Sequence, residues 1–365
     1  MLLQLGNSIE NIDLTRDRNS VYALDNILLS EFEGKNIVFA EQNIIDFLKN
    51  NIILFSGRAS AVVGRLDARY PEKASLANSI DAKVIIQSNI NDVSHDGSKI
   101  NVPLVLFEDR TLSDSTVLLG ENLDDAKIYK YSGEHYRILN HYQGTVLSLK
   151  PRGGGGSTTS DALEQIINSQ NEMCLTIVDS DKHSPYCCYG DTAQACLSLP
   201  TNEWVSKVFC LEGRMLENVL PIRHLRESVP VELESNITEQ EAIYSDAPDV
   251  YQYINIKNGT TFQWICKKTE RDQRSREYWL YHIQSNESLR NRVDVDCLGS
   301  ASCSNENACT CHIFTGLTNA ATHYLTWLDR RSSHKSAETI KDCSNWLNIG
   351  KNVYEWCCAV EPYRI

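Results

Sequence analysis

The sequence predicts an α/β protein with a mostly parallel sheet flanked by helices, an N-terminal α/β extension and a mainly helical C-terminal part. From about residue 102, short apolar runs alternate with helix-like segments, the pattern of strands joined by crossover helices. Residues 173–178 are apolar almost without a break, as in a central strand covered on both faces. After about residue 240 the chain becomes polar and helix-like. We therefore predict three parts: residues 1–100, 101–238 and 239–365.

The composition is that of an ordinary globular protein, with 42% hydrophobic and 23% charged residues among 365. A net charge of -13 argues against a broad electrostatic grip on nucleic acid but is compatible with an acidic metal site. The chain has no apolar run long enough to span a membrane, and its start lacks the pattern of a secretory signal. Most of the 13 cysteines resemble small buried residues of a reduced compartment. We expect a cytoplasmic protein.

The predicted elements follow from apolar periodicity and from turn residues. The segment 20–33 reads equally as a helix or a strand, and the glycine-containing segment 57–64 lacks the Gly-Lys-Ser/Thr of a phosphate loop, so we read it as a turn entering a helix. The predicted strands are 35–41, 52–56, 82–87, 102–107, 127–131, 145–149, 173–178 and 205–210. The predicted helices are 42–51, 111–119, 160–170, 192–199, 270–282, 320–331 and 338–350.

Acidic side chains follow two of the predicted strands. Asp179 and Asp181 come directly after residues 173–178, and Glu108 follows residues 102–107. Two acids at i and i+2 point the same way along an extended chain. The carboxyl ends of parallel strands share one edge of a sheet, so the three carboxylates are expected to converge on Mg²⁺ or Mn²⁺. The alternative for an Asp-x-Asp pair is a solvated turn.

A glycine-rich loop precedes the predicted helix at 160–170. It comprises Arg152, Gly153, Gly154, Gly155, Gly156 and Ser157. Such a loop presents backbone N–H groups and a helix N-terminus to an anion, and the arginine can pair with a phosphate. Gly/Ser composition is also typical of a flexible linker. Because the loop lies between a strand and a helix, we favour phosphate binding.

Two further side chains are weaker candidates for the same site. Glu217 follows the predicted strand 205–210 and is either a metal or supporting acid, or an ordinary acid on a helix face. Lys182 is either a partner for a scissile phosphate or a surface lysine next to two aspartates.

The pattern resembles the TOPRIM domain, which topoisomerases, DnaG-type primases and the OLD nucleases share. The matching segments are Val-Leu-Phe-Glu at 105–108, Val-Asp-Ser-Asp at 178–181, and Glu-Gly-Arg-Met-Leu-Glu-Asn at 212–218 followed by Leu-Pro. The last segment is similar to one in OLD-like TOPRIM effectors of bacterial anti-phage systems. The resemblance covers roughly residues 102–235.

The resemblance implies a Mg²⁺- or Mn²⁺-dependent nuclease that cleaves DNA or RNA in antiviral defence. It makes Glu108 the general acid/base and a metal neighbour, and Asp179 and Asp181 the metal ligands. Relatives of this type often act with an ABC-type ATPase. Because this chain lacks a Walker A motif, the ATPase would be a separate partner protein. Two other functions stay open: a non-catalytic TOPRIM-like binding subunit, and a nucleotidyl or phosphoryl transferase on small nucleotides.

A cysteine cluster lies in the predicted C-terminal part. Cys297, Cys303, Cys309, Cys311 and His312 provide enough thiolate and imidazole ligands for a structural zinc. Their spacing is unlike that of the common paired zinc knuckles. We therefore favour buried or loop thiols over zinc.

Overall fold

The chain divides into two units in a computed structural model, which describes residues 1–294, 297–298 and 311–363. The first unit comprises Met1–Ile177, Cys196–Phe209 and Leu347–Ile365, and the second comprises Val178–Ala195 and Cys210–Trp346. The three-part division predicted from the sequence stays a prediction. Within the described part of the chain, no helix is both long and apolar enough to cross a bilayer.

The N-terminal α/β extension contains a five-stranded sheet. The strands are β1 (Leu2–Leu5), β2 (Ile37–Ala40), β3 (Lys83–Gln87), β4 (Ser94–Asp96) and β5 (Lys99–Pro103), in the order β2-β1-β3-β5-β4. All pairings are parallel except that of β4 with β5. The helices are α1 (Arg18–Phe32), α2 (Gln42–Asn50), α3 (Gly57–Ala68) and α4 (Tyr70–Ser79). The Ser56 side chain accepts a hydrogen bond from the Ala59 amide and caps α3, so the predicted turn into a helix is confirmed.

A second, four-stranded parallel sheet also contributes to the first unit. Its strands are β6 (Thr116–Gly120), β8 (Leu149–Gly153), β9 (Cys174–Val178) and β10 (Ser206–Cys210), in the order β10-β9-β6-β8. Helices α5 (Leu123–Leu139) and α6 (Thr159–Ser169) contact its strands. Helix α7 (Asp191–Ser198) follows β9 in the chain. Strand β6 pairs in parallel with both β8 and β9. The predicted class, a parallel sheet flanked by helices, is therefore confirmed.

Short elements complete the two units. In the first unit β7 (Thr145–Leu147) pairs with β13 (Cys358–Val360), and in the second β11 (Thr260–Thr261) pairs with β12 (His312–Phe314). The remaining helices are α8 (Leu216–Val219), α9 (Ile222–Ser228), α10 (Glu234–Asp246), α11 (Pro248–Tyr251), α12 (Phe262–Lys268), α13 (Gln273–Ser285), α14 (Glu287–Arg290), α15 (Ala320–Asp329), α16 (Ser333–Glu338) and α17 (Ser344–Cys357). The C-terminal part is mainly helical, as predicted.

The predicted strand at 102–107 is wrong beyond Pro103. Residues Leu104–Phe107 form a 3-10 helix. This turn buries Leu104 and Phe107 and leaves Val105 57% exposed, because residues three apart share one face of a 3-10 helix. A short apolar run does not distinguish a buried strand from a helical turn, which explains the error.

Three other predicted elements have the wrong type. The predicted helix 111–119 ends in strand β6, whose five residues are all buried. The predicted strand 127–131 lies inside α5, which a capping box between Asn122 and Asp125 starts. The predicted strand 52–56 contains the 3-10 helix Ile52–Leu54, in which Ile53 is 90% exposed. In the first two cases, tertiary burial and a helix cap prevailed over the apolar pattern.

The cysteine cluster falls partly outside the described residues. Cys303 and Cys309 lie outside the described residues, whereas Cys311 is buried and His312 is exposed. The preference for thiols over a structural zinc stays a prediction.

Candidate functional site

The loop after β9 carries the predicted Asp-x-Asp pair and lies in the second unit. The Leu211 amide donates to the Val178 carbonyl at 3.0 Å. The Ser180 hydroxyl, fully buried, donates to the Gly213 carbonyl at 2.7 Å. The loop after β9 is therefore tied to the loop that follows β10, and together they form what we call the acidic loop pair, residues 178–182 and 211–217.

The two aspartates of the pair have different environments. Asp179 is half-buried, and its Oδ1 accepts a hydrogen bond from the Leu216 amide at 2.9 Å. Asp181 is exposed, and its own amide donates to the Arg214 carbonyl at 2.8 Å. Its φ of 52° is left-handed, a conformation that aspartate and asparagine tolerate better than most residues. Asp179 therefore has a positioning contact, whereas the Asp181 carboxylate faces solvent.

Gly190 allows the chain to pass close to Asp181. A Cβ at this position would lie 2.4 Å from the Asp181 Cβ, and the Gly190 amide donates to the Ser180 carbonyl at 2.9 Å. The acidic loop therefore depends on a glycine nine residues further along.

Substituting this glycine is expected to destabilise the loop. Gly190→Ala should lower the free energy of unfolding by about 1–3 kcal/mol, the usual cost of overpacking, as measured by urea denaturation. Gly64→Ala is the matched control, because a Cβ there would meet no atom within 4 Å and alanine favours a helix by about 0.5–1 kcal/mol. Equal effects of the two substitutions would contradict the close approach.

Arg214 is the charged side chain of this loop pair that the sequence did not single out. It is 8% exposed, and its Nε and Nη1 atoms are buried without a hydrogen-bond partner. Its guanidinium lies 4.7 Å from the centre of the Trp264 ring. Burial lowers the pKa of this arginine, while the charges of Asp181, Cys187 and Asp179 act to raise it. A buried cation with unused donors is the arrangement expected for an anion ligand.

Glu217, predicted as a further acid, lies fully buried in α8. Neither carboxylate oxygen has a hydrogen-bond partner. The Lys257 ammonium lies 3.3 Å from Oε1 and partly balances the charge. Burying a carboxylate is costly unless it is paired, and the described cation that pairs with Glu217 is Lys257.

His183 and Cys187 follow Lys182, the last residue of the first loop of the pair. The Lys182 ammonium lies 4.3 Å from the centre of the Tyr189 ring. The His183 amide donates to the Cys187 sulfur at 3.1 Å. Burial raises the pKa of this thiol, but hydrogen bonds from the His183 side chain and from backbone groups lower it by more. The pKa of Cys187 is therefore lowered, to about 7. This segment therefore places a lysine and a cysteine of lowered pKa close to the two aspartates in the chain.

The described residues contain no group of three or more His, Cys, Asp and Glu side chains arranged to hold a metal ion. The loop pair thus offers the two aspartates as first candidates. Mg²⁺ is commonly bound through one or two carboxylates, with water and substrate phosphates completing its coordination. Binding of Mg²⁺ or Mn²⁺ by Asp179 and Asp181 stays a prediction.

Glu108 lies in the first unit and does not follow a strand of the sheet that contains β9. It follows the 3-10 helix after β5 and is exposed. Asn19 donates to its Oε2 at 3.0 Å, and Asn26 donates to its carbonyl at 3.1 Å. The sequence predicts Glu108 directly after a strand of the sheet that contains β9. This prediction is wrong, because the strand that precedes Glu108 is β5, which belongs to the five-stranded sheet and ends at Pro103.

The glycine-rich loop also lies in the first unit, between β8 and α6. The Gly154 amide donates to the Gly120 carbonyl at 2.8 Å, and the Gly155 and Gly156 amides both donate to the Glu121 carbonyl at 2.9 Å. Gly155 and Gly156 have φ of 84° and 69°, which favours glycine. These three amides are engaged within the chain.

The other residues of this loop have different environments. Arg152 forms an ion pair with Glu172 at 2.9 Å. Gly153 is the last residue of β8, and Ser157 is exposed. Phosphate binding by Arg152, Gly153, Gly154, Gly155, Gly156 and Ser157 stays a prediction.

Glu121 is a candidate that the sequence reading missed. It follows β6, at the carboxyl end of the first unit's parallel sheet, where the glycine-rich loop contacts its carbonyl. The sequence signal was the apolar run Val117–Leu119 followed by Gly-Glu-Asn. The pattern at 111–119 predicts a helix, so the sequence indicates no strand end before Glu121.

The acidic loop pair combines two aspartates, a buried unpaired guanidinium and a buried carboxylate within one unit. No family model, no curated protein and no solved structure matches this chain.

Proposed function

We propose that this chain is a Mg²⁺- or Mn²⁺-dependent nuclease whose acidic loop pair cleaves phosphodiester bonds. The observation that carries the proposal is the buried Arg214 guanidinium, whose Nε and Nη1 lack partners, within the loops that carry Asp179 and Asp181. Phosphoryl transfer uses carboxylates that bind a cation and a positively charged group that binds the phosphate. The acidic loop pair contains both kinds of side chain.

The aspartates would hold the cation, with Glu217 as a further acid. A bound divalent ion supplies charge stabilisation on a phosphoryl oxygen and lowers the pKa of a bound water. Asp181 is exposed and thus accessible to a hydrated ion. Asp179 is fixed by the Leu216 amide, so its second oxygen keeps a defined direction.

The cationic side chains of the loop pair would act on the phosphate. Arg214 is desolvated, so its interaction with a developing negative charge is stronger than in water. Its position above Trp264 restricts the guanidinium before substrate binds, which lowers the entropic cost of contact. Lys182 is partly exposed and would contribute a weaker, screened attraction.

The nucleic-acid substrate and the defence role depend on the TOPRIM resemblance of residues 102–235. The same resemblance supports an ABC-type ATPase as the partner protein. The net charge of -13 supports a localised catalytic contact with nucleic acid over a broad binding surface.

The proposal is tested with the purified chain and labelled single- and double-stranded DNA and RNA. We expect cleavage in Mg²⁺ or Mn²⁺ and none in EDTA. Cleavage that persists in EDTA would contradict the metal requirement. Binding of nucleic acid without cleavage under any metal condition would instead support a non-catalytic subunit, and products formed from nucleoside triphosphates would support a transferase.

A further inference from the structure

The first unit contains a cavity of about 680 Å³ that the proposed nuclease activity does not use. It is lined by α1, by the first turns of α3 and by Tyr363 near the C-terminus. Its volume is within the usual range of small-molecule sites, about 300–1,000 Å³. Leu29, Phe32 and Ala61 give it apolar walls.

Three arginines line this cavity in a chain that carries 35 basic and 48 acidic residues. Arg110 forms an ion pair with Glu33, which Lys35 also contacts. Neither Arg58 nor Arg65 forms an ion pair with a carboxylate of the residues that the structure describes. Two positive charges therefore remain uncompensated at one cavity of an acidic protein.

Aromatic rings hold both uncompensated arginines. The Arg58 guanidinium lies 5.5 Å from the centre of the Phe32 ring, and that of Arg65 lies 3.8 Å from the centre of the Tyr363 ring. Tyr363 is itself fixed, because its amide donates to the Phe32 carbonyl at 2.9 Å. Stacked guanidinium groups keep their N–H edges available for bidentate contact with phosphate.

Arg58 and Arg65 lie on one face of α3. They are seven residues apart, close to two helical turns, and Arg58 is in the first turn of this helix of 12 residues. The positive end of the helix dipole therefore adds to the charge of Arg58. A phosphomonoester carries about -1.5 to -2 at neutral pH, which the two arginines would balance.

We propose that this cavity binds a phosphomonoester attached to an aromatic nucleoside, such as a nucleoside monophosphate. The arginines would contact the phosphate, and the apolar wall of Leu29, Phe32 and Ala61 would contact the base. The cavity is much larger than inorganic phosphate, so the apolar part of the ligand contributes to affinity. A free nucleotide and the 5′ end of a nucleic acid strand both carry such a phosphomonoester on a nucleoside.

The experiment is isothermal titration of the full chain with AMP, adenosine and inorganic phosphate. We expect AMP to bind at least ten times more tightly than either part alone. Arg58→Met and Arg65→Met should each weaken AMP binding about ten-fold or more, the effect of losing a charge-assisted contact. Arg16→Met is the control, because Arg16 is exposed and pairs with Asp13, and it should leave the affinity unchanged.

Several outcomes would overturn the site. These are no detectable AMP binding, equal affinity for AMP and inorganic phosphate, or unchanged AMP affinity in both arginine variants. Thermal melting of each variant shows whether it is folded, and Arg58, being exposed near the helix start, gives a variant that tests the site if Arg65→Met is unstable. A 5′-phosphorylated trinucleotide that binds more tightly than AMP assigns the ligand to a strand end, and weaker binding assigns it to a free nucleotide.

Discussion

Asp181→Asn should reduce metal-dependent cleavage by about 10³-fold or more while leaving the protein folded. The physical reason is that loss of a cation ligand removes several kcal/mol of charge stabilisation in the transition state. Asparagine is the appropriate replacement because it tolerates the left-handed backbone at this position, whereas alanine would add strain. The measurement is the cleavage rate in Mg²⁺ and Mn²⁺, together with urea denaturation.

Asp179→Asn is the companion variant. It keeps an acceptor for the Leu216 amide, so we expect the same loss of activity with little change in stability. The control is Asp342→Asn, an exposed aspartate of the same unit. If both loop variants cleave at the wild-type rate, the acidic loop pair is not the nuclease site.

Arg214→Met should lower kcat/KM by about 10²-fold or more and change the free energy of unfolding by less than about 1 kcal/mol. Removing two buried, unpaired N–H donors relieves about 1–3 kcal/mol, while losing the contact with Trp264 costs about 0.5–2 kcal/mol. These terms nearly cancel in the free protein. The phosphate contact has no such compensation, so activity falls much further than stability.

Arg214→Lys distinguishes charge from geometry. Lysine keeps the positive charge but lacks the planar fork, so we expect an intermediate rate. A large loss of stability in Arg214→Met, with a proportionate loss of activity, would instead make Arg214 a structural residue. Both variants are compared by steady-state cleavage and by urea denaturation at the same pH and salt.

The sequence was sufficient to predict strand β9 and its two aspartates. The apolar run at 173–178 is bounded by polar residues on both sides, and β9 ends at Val178, directly before Asp179. Helices α6 and α7 and strand β10 were predicted for a related reason, since each lies between clear turn residues.

The sequence predicts a helix where β6 lies and a strand inside α5, which shows where apolar periodicity is insufficient. Residues 111–119 begin with Thr, Ser and Asp, which are typical of helix starts, and the decisive signal was the capping box at Asn122 and Asp125 one element later. The sequence reading therefore places a strand end before Glu108, whereas strand β6 of the four-stranded sheet ends directly before Glu121.

The role of Arg214 was inaccessible to sequence reasoning for a different reason. Its burial and its contact with Trp264 depend on residues fifty positions apart, which local periodicity does not report. The sequence predicts Glu217 as an acid of the site, but periodicity does not show that both of its oxygens are buried without hydrogen-bond partners. Tertiary desolvation, and not residue type, distinguishes these two side chains.

The central claim is that the acidic loop pair binds a divalent cation. Its most direct test is Mn²⁺ binding, measured by electron paramagnetic resonance. The wild-type chain should bind Mn²⁺ at a site that the double variant Asp179→Asn/Asp181→Asn loses and that Glu108→Gln retains. Unchanged Mn²⁺ affinity and stoichiometry in the double variant would contradict a cation site in the acidic loop pair.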